Sequence, residues 1–125
     1  GIGLEFCKQL RNRDYQVTAT CRKTSQALTD TATCVIPEID LTEPAVEKDL
    51  HDRLNGKKFD LIIHNAGILR QEPEPTEANL MEQFHINAVK PILIARQLTA
   101  NLAPKSNYFF ITSRMGSIAD NSSGG

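Results

Sequence analysis

Phe59-Asp60-Leu61-Ile62-Ile63 is a short, nearly unbroken apolar run, and His64-Asn65-Ala66-Gly67 follows it directly. Runs of this kind suit parallel strands covered on both faces. Small residues just past the end of such a strand let a ligand come close to the backbone. Tyr108-Phe109-Phe110-Ile111 is a second run of the same type. The sequence between them is helical, from about Glu77 to Leu102. Leu80, Phe84, Ala88, Ile92, Ala95 and Leu102 mark the stripe expected to be buried.

Upstream, the same alternation repeats. Leu4, Cys7 and Leu10, with Phe6 four before Leu10, give helical spacing right after Gly3. Tyr15 to Cys21 then alternates apolar and polar, which is a strand pattern. A short polar stretch has helical character around Ser25 to Leu28, and Cys34-Val35-Ile36 makes another strand. Thr42 is placed to cap a helix, with Glu43 and Pro44 in its first turn. Val46, Leu50 and Leu54 carry that helix, and Asn55-Gly56 stops it. Helix and strand therefore alternate throughout, which predicts an α/β fold: a parallel sheet with helices on both faces. Gln71 to Thr76, with Pro73 and Pro75, reads as a loop inside a single domain spanning 1–125.

Composition narrows the function. With 14 basic and 15 acidic side chains and a net charge of −1, the chain has no basic excess to attract nucleic acid. No apolar run reaches membrane-span length, and no secretory signal precedes the first helix. The three cysteines, Cys7, Cys21 and Cys34, are too few and too scattered for a disulfide framework or a zinc site. They are expected to be buried thiols in a reducing, cytoplasmic setting. No metal site is expected. Asn121-Ser122-Ser123 matches a glycosylation sequon by chance.

Several positions point to a nucleotide. Gly1-Ile2-Gly3 opens a helix, where glycines admit a pyrophosphate to free N–H groups and a positive dipole end. Arg22 and Lys23 follow the strand that ends at Cys21. No acid stands there to bind the ribose hydroxyls of NAD, whereas Arg22 suits the 2′-phosphate of NADP. Asp40 could accept from an adenine amino group, although Thr42 competes for its carboxylate. Asn65, Ala66 and Gly67 suit close approach of a ribose. Asn87 lies four residues before Pro91, which has no N–H for the Asn87 carbonyl. The long helix should kink there and leave that oxygen free for water.

Together, Gly-Ile-Gly-Leu at 1–4, Asp-Leu at 40–41, Asn-Ala-Gly at 65–67, Asn87 and Ile-Thr-Ser at 111–113 resemble the short-chain dehydrogenase/reductase family. The tail from Ser113-Arg114-Met115-Gly116-Ser117 resembles its carbonyl-reductase-like, C-signal-related branch. The resemblance implies a Rossmann-type doubly wound parallel sheet holding NADP, with NAD possible, and a small carbonyl or alcohol substrate. It implies that Gly1, Ile2 and Gly3 sit at the pyrophosphate, Asp40 and Leu41 at the adenine, and Asn65, Ala66 and Gly67 at the adenine-side ribose. Ser113 would bond the substrate carbonyl, with Ser117 as a rival, and the Asn87 carbonyl would hold a relay water. His64 departs from the family, which usually has asparagine there.

The family's acid is a tyrosine with a lysine four residues later, and no Tyr-x-x-x-Lys occurs among the 125 residues. The resemblance thus implies a domain truncated at both ends, without its first, central strand and its catalytic helix. Such a chain is expected to be inactive alone and to lack cooperative folding, because two strands would be left with open edges. Full-length members of the family often dimerise through the long helix. A non-catalytic nucleotide-binding or signalling member is the alternative that these residues allow.

Overall fold

A computed structural model describes residues 1–71 and 73–120. The sequon at Asn121 and the rest of the tail lie outside the described residues. The elements run α1 (Ile2–Arg11), β1 (Thr18–Thr20), α2 (Gln26–Thr31), β2 (Cys34–Ile36), α3 (Val46–Arg53), β3 (Phe59–His64), α4 (Glu77–Phe84), a π turn (His85–Val89), α5 (Lys90–Gln97), a 3₁₀ turn (Leu98–Asn101), β4 (Leu102–Phe110) and a 3₁₀ turn (Arg114–Gly116). The alternation is the one read from the sequence. Among the described residues, no helix is long and apolar enough to cross a membrane.

Among the described residues all pairing is parallel, and it forms two separate ladders. β1 pairs with β2, with Ala19 opposite Val35. β3 pairs with β4, with Ile62 opposite Tyr108. β4 starts six residues earlier than the apolar run suggests. A bulge then sets Phe59 opposite Leu102 but Leu61 opposite Asn107, and Lys105 absorbs it with a φ of 65°.

α1 packs on α2, and α3 packs on α5, so the helices divide between two layers. The main core lies under α3 and α5. Ile36, Ile39, Val46, Leu50, Leu54, Ile94 and Leu98 are buried together there, with Phe59 and Ile62 packed against them. The layer under α1 is thinner, with Cys7 and Val17 buried. Cys21 and Cys34 are only half-buried, so of the three thiols Cys7 alone meets the expectation of burial.

Three local expectations are corrected. Thr42 does not cap α3, whose N-cap is Ala45. Thr42 instead gives its N–H and its hydroxyl to the Asp40 carboxylate, at 2.9 and 2.8 Å, and the chain turns once more before the helix starts. The stripe assigned to the long helix is largely exposed: Leu80 is 52%, Phe84 60% and Ile92 60% accessible. The buried face holds Ile86, Lys90, Ile94 and Leu98. The two sets are offset by two residues, about 200° around a helix. The true stripe was obscured because one of its members is a lysine. Finally, Phe109, Phe110 and Ile111 are 53%, 44% and 42% accessible, so the end of β4 is not covered on both faces.

The break between α4 and α5 has a covalent cause. Pro91 cannot donate to the Asn87 carbonyl, and its ring crowds that position. The helix responds by widening into the π turn His85–Val89, in which Lys90 N–H reaches back to His85 O. Such turns recur at functional sites, and this one contains Asn87.

Candidate cofactor-binding and active site

The residues singled out from the sequence gather at one edge, the C-terminal ends of the strands. α1 begins there. Gly1 is its N-cap, and no side chain caps it, so the first-turn N–H groups stay available. A Cβ at Gly3 would lie 2.9 Å from Asn65 Nδ2, closer than atoms tolerate. Glycine at this position therefore leaves room for the Asn65 side chain as it stands. Gly1 meets nothing within 4 Å, so sterics alone do not require it. Ile2 is exposed.

Arg22 stands exposed just past β1. Its positive charge reaches Asp40, whose carboxyl is held below the usual range first by the Thr42 N–H, then by the Thr42 hydroxyl, and last by Arg22. Asp40 is therefore ionised and can only accept. Leu41, half-buried, packs on the main core. Gly1, Gly3, Leu41, Asn65 and Ala66 line one cavity of about 1080 Å³, together with Cys21 and Lys23.

Asn87 turns out to act through its side chain. Its Nδ2 donates to Ile68 O at 2.7 Å, and its Oδ1 accepts from Ile68 N–H at 2.8 Å. A Cβ on Gly67 would come within 3.1 Å of that Oδ1, so Gly67 gives the clamp its room. Gln83 Oε1 accepts from Arg70 N–H at 2.9 Å. The Arg70 guanidinium pairs with both Glu82 oxygens, at 2.7 and 2.9 Å. The loop after β3 is thus fastened to the long helix at successive turns.

One turn beyond Asn87, Lys90 is only 2% accessible. Its Nζ donates to Glu43 O and Glu47 Oε1, each at 2.9 Å. The same helix therefore fixes both the loop after β3 and the segment that follows Asp40. Sequence reasoning missed Lys90, Gln83 and Arg70. Lysine in a helix ordinarily points to water, and only tertiary structure puts an acceptor within its reach.

Ser113 lies on the same edge: Ile111 N–H donates to His64 O at 2.9 Å, which sets the end of β4 beside the end of β3. Ser113 caps the last 3₁₀ turn, its Oγ accepting from Met115 N–H at 3.1 Å. A hydroxyl that accepts in this way still has its own proton to donate. Ser113 does not line the cavity that Gly3 and Asn65 share. His64 is half-buried, and its Nε2 has no partner. Burial lowers its pKa, partly offset by a hydrogen bond to the Ala66 backbone. Among the described residues, no group of three or more His, Cys, Asp or Glu side chains could hold a metal ion.

No protein-family model matches the chain. The 1-hydroxy-2-glutathionyl-2-methyl-3-butene dehydrogenase of Rhodococcus sp. (strain AD45) is 30% identical over 129 aligned residues, which take in all of this chain and 57% of that protein. A short-chain dehydrogenase/reductase of Burkholderia multivorans, solved with bound NADP, superposes with a TM-score of 0.86 at 25% identity, over 99% of this chain and 59% of that one. A carbonyl reductase of Pseudomonas aeruginosa PAO1, in complex with NADP, gives 0.77 at 25% identity, over 95% and 56%. The chain thus spans somewhat more than half the length of these relatives. With the motifs in family order on a matching α/β framework, the chain is similar over its whole length to short-chain dehydrogenases/reductases.

Proposed function

We propose that the chain forms the cofactor-binding part of an NADP-preferring carbonyl reductase or alcohol dehydrogenase. The observation that carries this is the contact of Gly3 with Asn65, where a Cβ would fall 2.9 Å from the amide. It sets an uncapped helix N-terminus against the end of β3. The residues fit the cofactor the relatives bind. Gly1, Ile2 and Gly3 bring free N–H groups and the positive end of α1 to the pyrophosphate. Arg22 takes the 2′-phosphate. Asp40, ionised, accepts from the adenine amino group, and Leu41 packs against the ring. Asn65, Ala66 and Gly67 run along the adenine-side ribose. Nicotinamide, when bound, supplies or takes up the hydride.

Two residues serve the reacting end. Ser113, with its oxygen engaged by Met115 N–H, turns its proton to the substrate carbonyl oxygen. Asn87 uses its side chain on Ile68, and its main-chain oxygen, which Pro91 cannot bond, holds the water of a proton relay. The tyrosine–lysine pair of the family is not among these residues, so the chain alone binds without turnover. In this reading the setting is cytoplasmic and reducing, as the scattered cysteines of the sequence suggest. The exposed face of α4 and α5, with Leu80, Phe84 and Ile92, supports a homo-oligomer.

Ser113→Ala in the full-length polypeptide tests the catalytic reading. Turnover should fall at least a hundredfold while the Kd for NADPH stays within twofold. Unchanged turnover would remove Ser113 from the site. A full-length wild-type protein that binds NADPH but reduces no carbonyl would favour the non-catalytic alternative.

A further inference from the structure

We propose that Lys90 is a positioning residue: from its buried place on α5 it holds the π turn that contains Asn87 in a fixed relation to the adenine side of the cofactor site. The role presupposes the cofactor site proposed above and adds a residue to it, one that acts through its neighbours rather than on the reacting atoms.

A continuous set of hydrogen bonds runs between the two places. Glu43 N–H donates to Asp40 O at 3.1 Å, which closes the turn that follows the adenine-side carboxylate. Glu43 O accepts from Lys90 Nζ at 2.9 Å. Glu47 Oε1 accepts from the same ammonium at 2.9 Å, and the two side chains are largely out of water, 3% accessible for Lys90 and 15% for Glu47. At the other end of the residue, Lys90 N–H donates to His85 O and so closes the π turn. One residue thus grips the adenine-side segment with its side chain and the turn around Asn87 with its main chain.

The π turn gives this grip its consequence. Pro91 removes one bond of the helix, but a helix can answer by kinking as well as by widening. Widening takes one residue more per turn, with i→i+5 bonds in place of i→i+4. Were the turn to narrow to α-helical form, everything beyond it would rotate by about 100° relative to α4. Lys90 would then swing away from Glu43 and Glu47 and lose both acceptors. The anchor therefore selects the widened form, the one in which Asn87 clamps Ile68. Stability alone does not call for a lysine here, since apolar side chains of similar volume in place of a buried ion pair are often as stable or more so. Register between two segments of the site does.

The test uses the full-length polypeptide, wild type and Lys90→Met/Glu47→Leu, a double variant that leaves neither charge of the pair buried alone. The probe is adenosine 2′,5′-bisphosphate, which carries the adenine and the 2′-phosphate and lacks the nicotinamide. Its binding should slow exchange of the residue-90 amide at least tenfold in the wild type and less than twofold in the double variant. With NADPH and a carbonyl substrate, the double variant should lose at least tenfold in kcat while its urea midpoint stays close to that of the wild type. The solvent deuterium isotope effect on kcat should rise as well, because proton delivery past a displaced Asn87 is slower; loss of a merely structural contact would leave it unchanged. A wild type that does not bind the bisphosphate would overturn the cofactor site and this role with it. Binding to both proteins with equal slowing at residue 90, or a double variant with the kcat and solvent isotope effect of the wild type, would overturn the role of Lys90 and leave the cofactor site standing.

Discussion

Asn87 does with one side chain what a neighbouring strand does with its backbone: it both donates to and accepts from Ile68. Asn87→Ala should remove two hydrogen bonds and cost about 1–3 kcal/mol, read from the urea midpoint of the full-length polypeptide. Its Kd for NADPH should rise too, because the loop from Asn65 to Gly67 is freed. A normal midpoint with a normal Kd would show that the clamp is idle. His64 sets a pH dependence. Its folded pKa lies below the unfolded value of about 6.5, so the unfolded chain binds more protons in that range. The stability it contributes is complete above about 6.5 and is lost as pH falls from there through the lower folded value. His64→Asn, the residue usual in the family, should flatten that limb of the stability profile. An identical acid limb in the variant would assign the loss to another group. Much at this scale was legible in the sequence. Pro91 announces the break of the long helix at Asn87 by covalent chemistry alone, although not the side-chain clamp on Ile68. Lys90 was not legible, because its acceptors lie more than forty residues away.

The long helix shows why a helical stripe can be misassigned when the helix is apolar on two faces. Leu80, Phe84, Ala88 and Ile92 recur every four residues, and so do Ile86, Lys90, Ile94 and Leu98. Counting apolar residues favours the first set, whereas packing uses the second and makes its lysine an anchor. Strand and helix order needed no tertiary information, since each element carries its own periodicity. The bulge in β4 and the start of α3 did, since both depend on partners distant in sequence or on competition for one carboxylate. The Lys90–Glu47 pair is a prediction for this scale. Lys90→Met should cost about 3–5 kcal/mol, because it leaves the Glu47 carboxylate poorly solvated and without its ammonium. Adding Glu47→Leu should recover most of that loss. A chemical-denaturation cycle on the full-length polypeptide checks this, and independent, additive losses would contradict it.

At the scale of the molecule, surface tells the story. The chain exposes 8963 Å², whereas a compact monomer of 13.9 kDa exposes about 6,700 Å². Leu80, Phe84 and Ile92 on the outer face of α4 and α5, and Phe109 and Phe110 at the end of β4, are among the exposed apolar side chains. Two-stranded ladders are marginal by themselves, so the edge at the C-terminal ends of the strands also depends on the core under α3 and α5. That edge carries the central claim, an NADP site in which Arg22 stands where an NAD enzyme has an acid. The most direct measurement compares kcat/KM for NADPH and NADH in the full-length enzyme, wild type and Arg22→Asp. The wild type should favour NADPH at least tenfold, and the variant should lose that preference through KM. A wild-type enzyme that prefers NADH, or a variant with unaltered preference, would contradict the account.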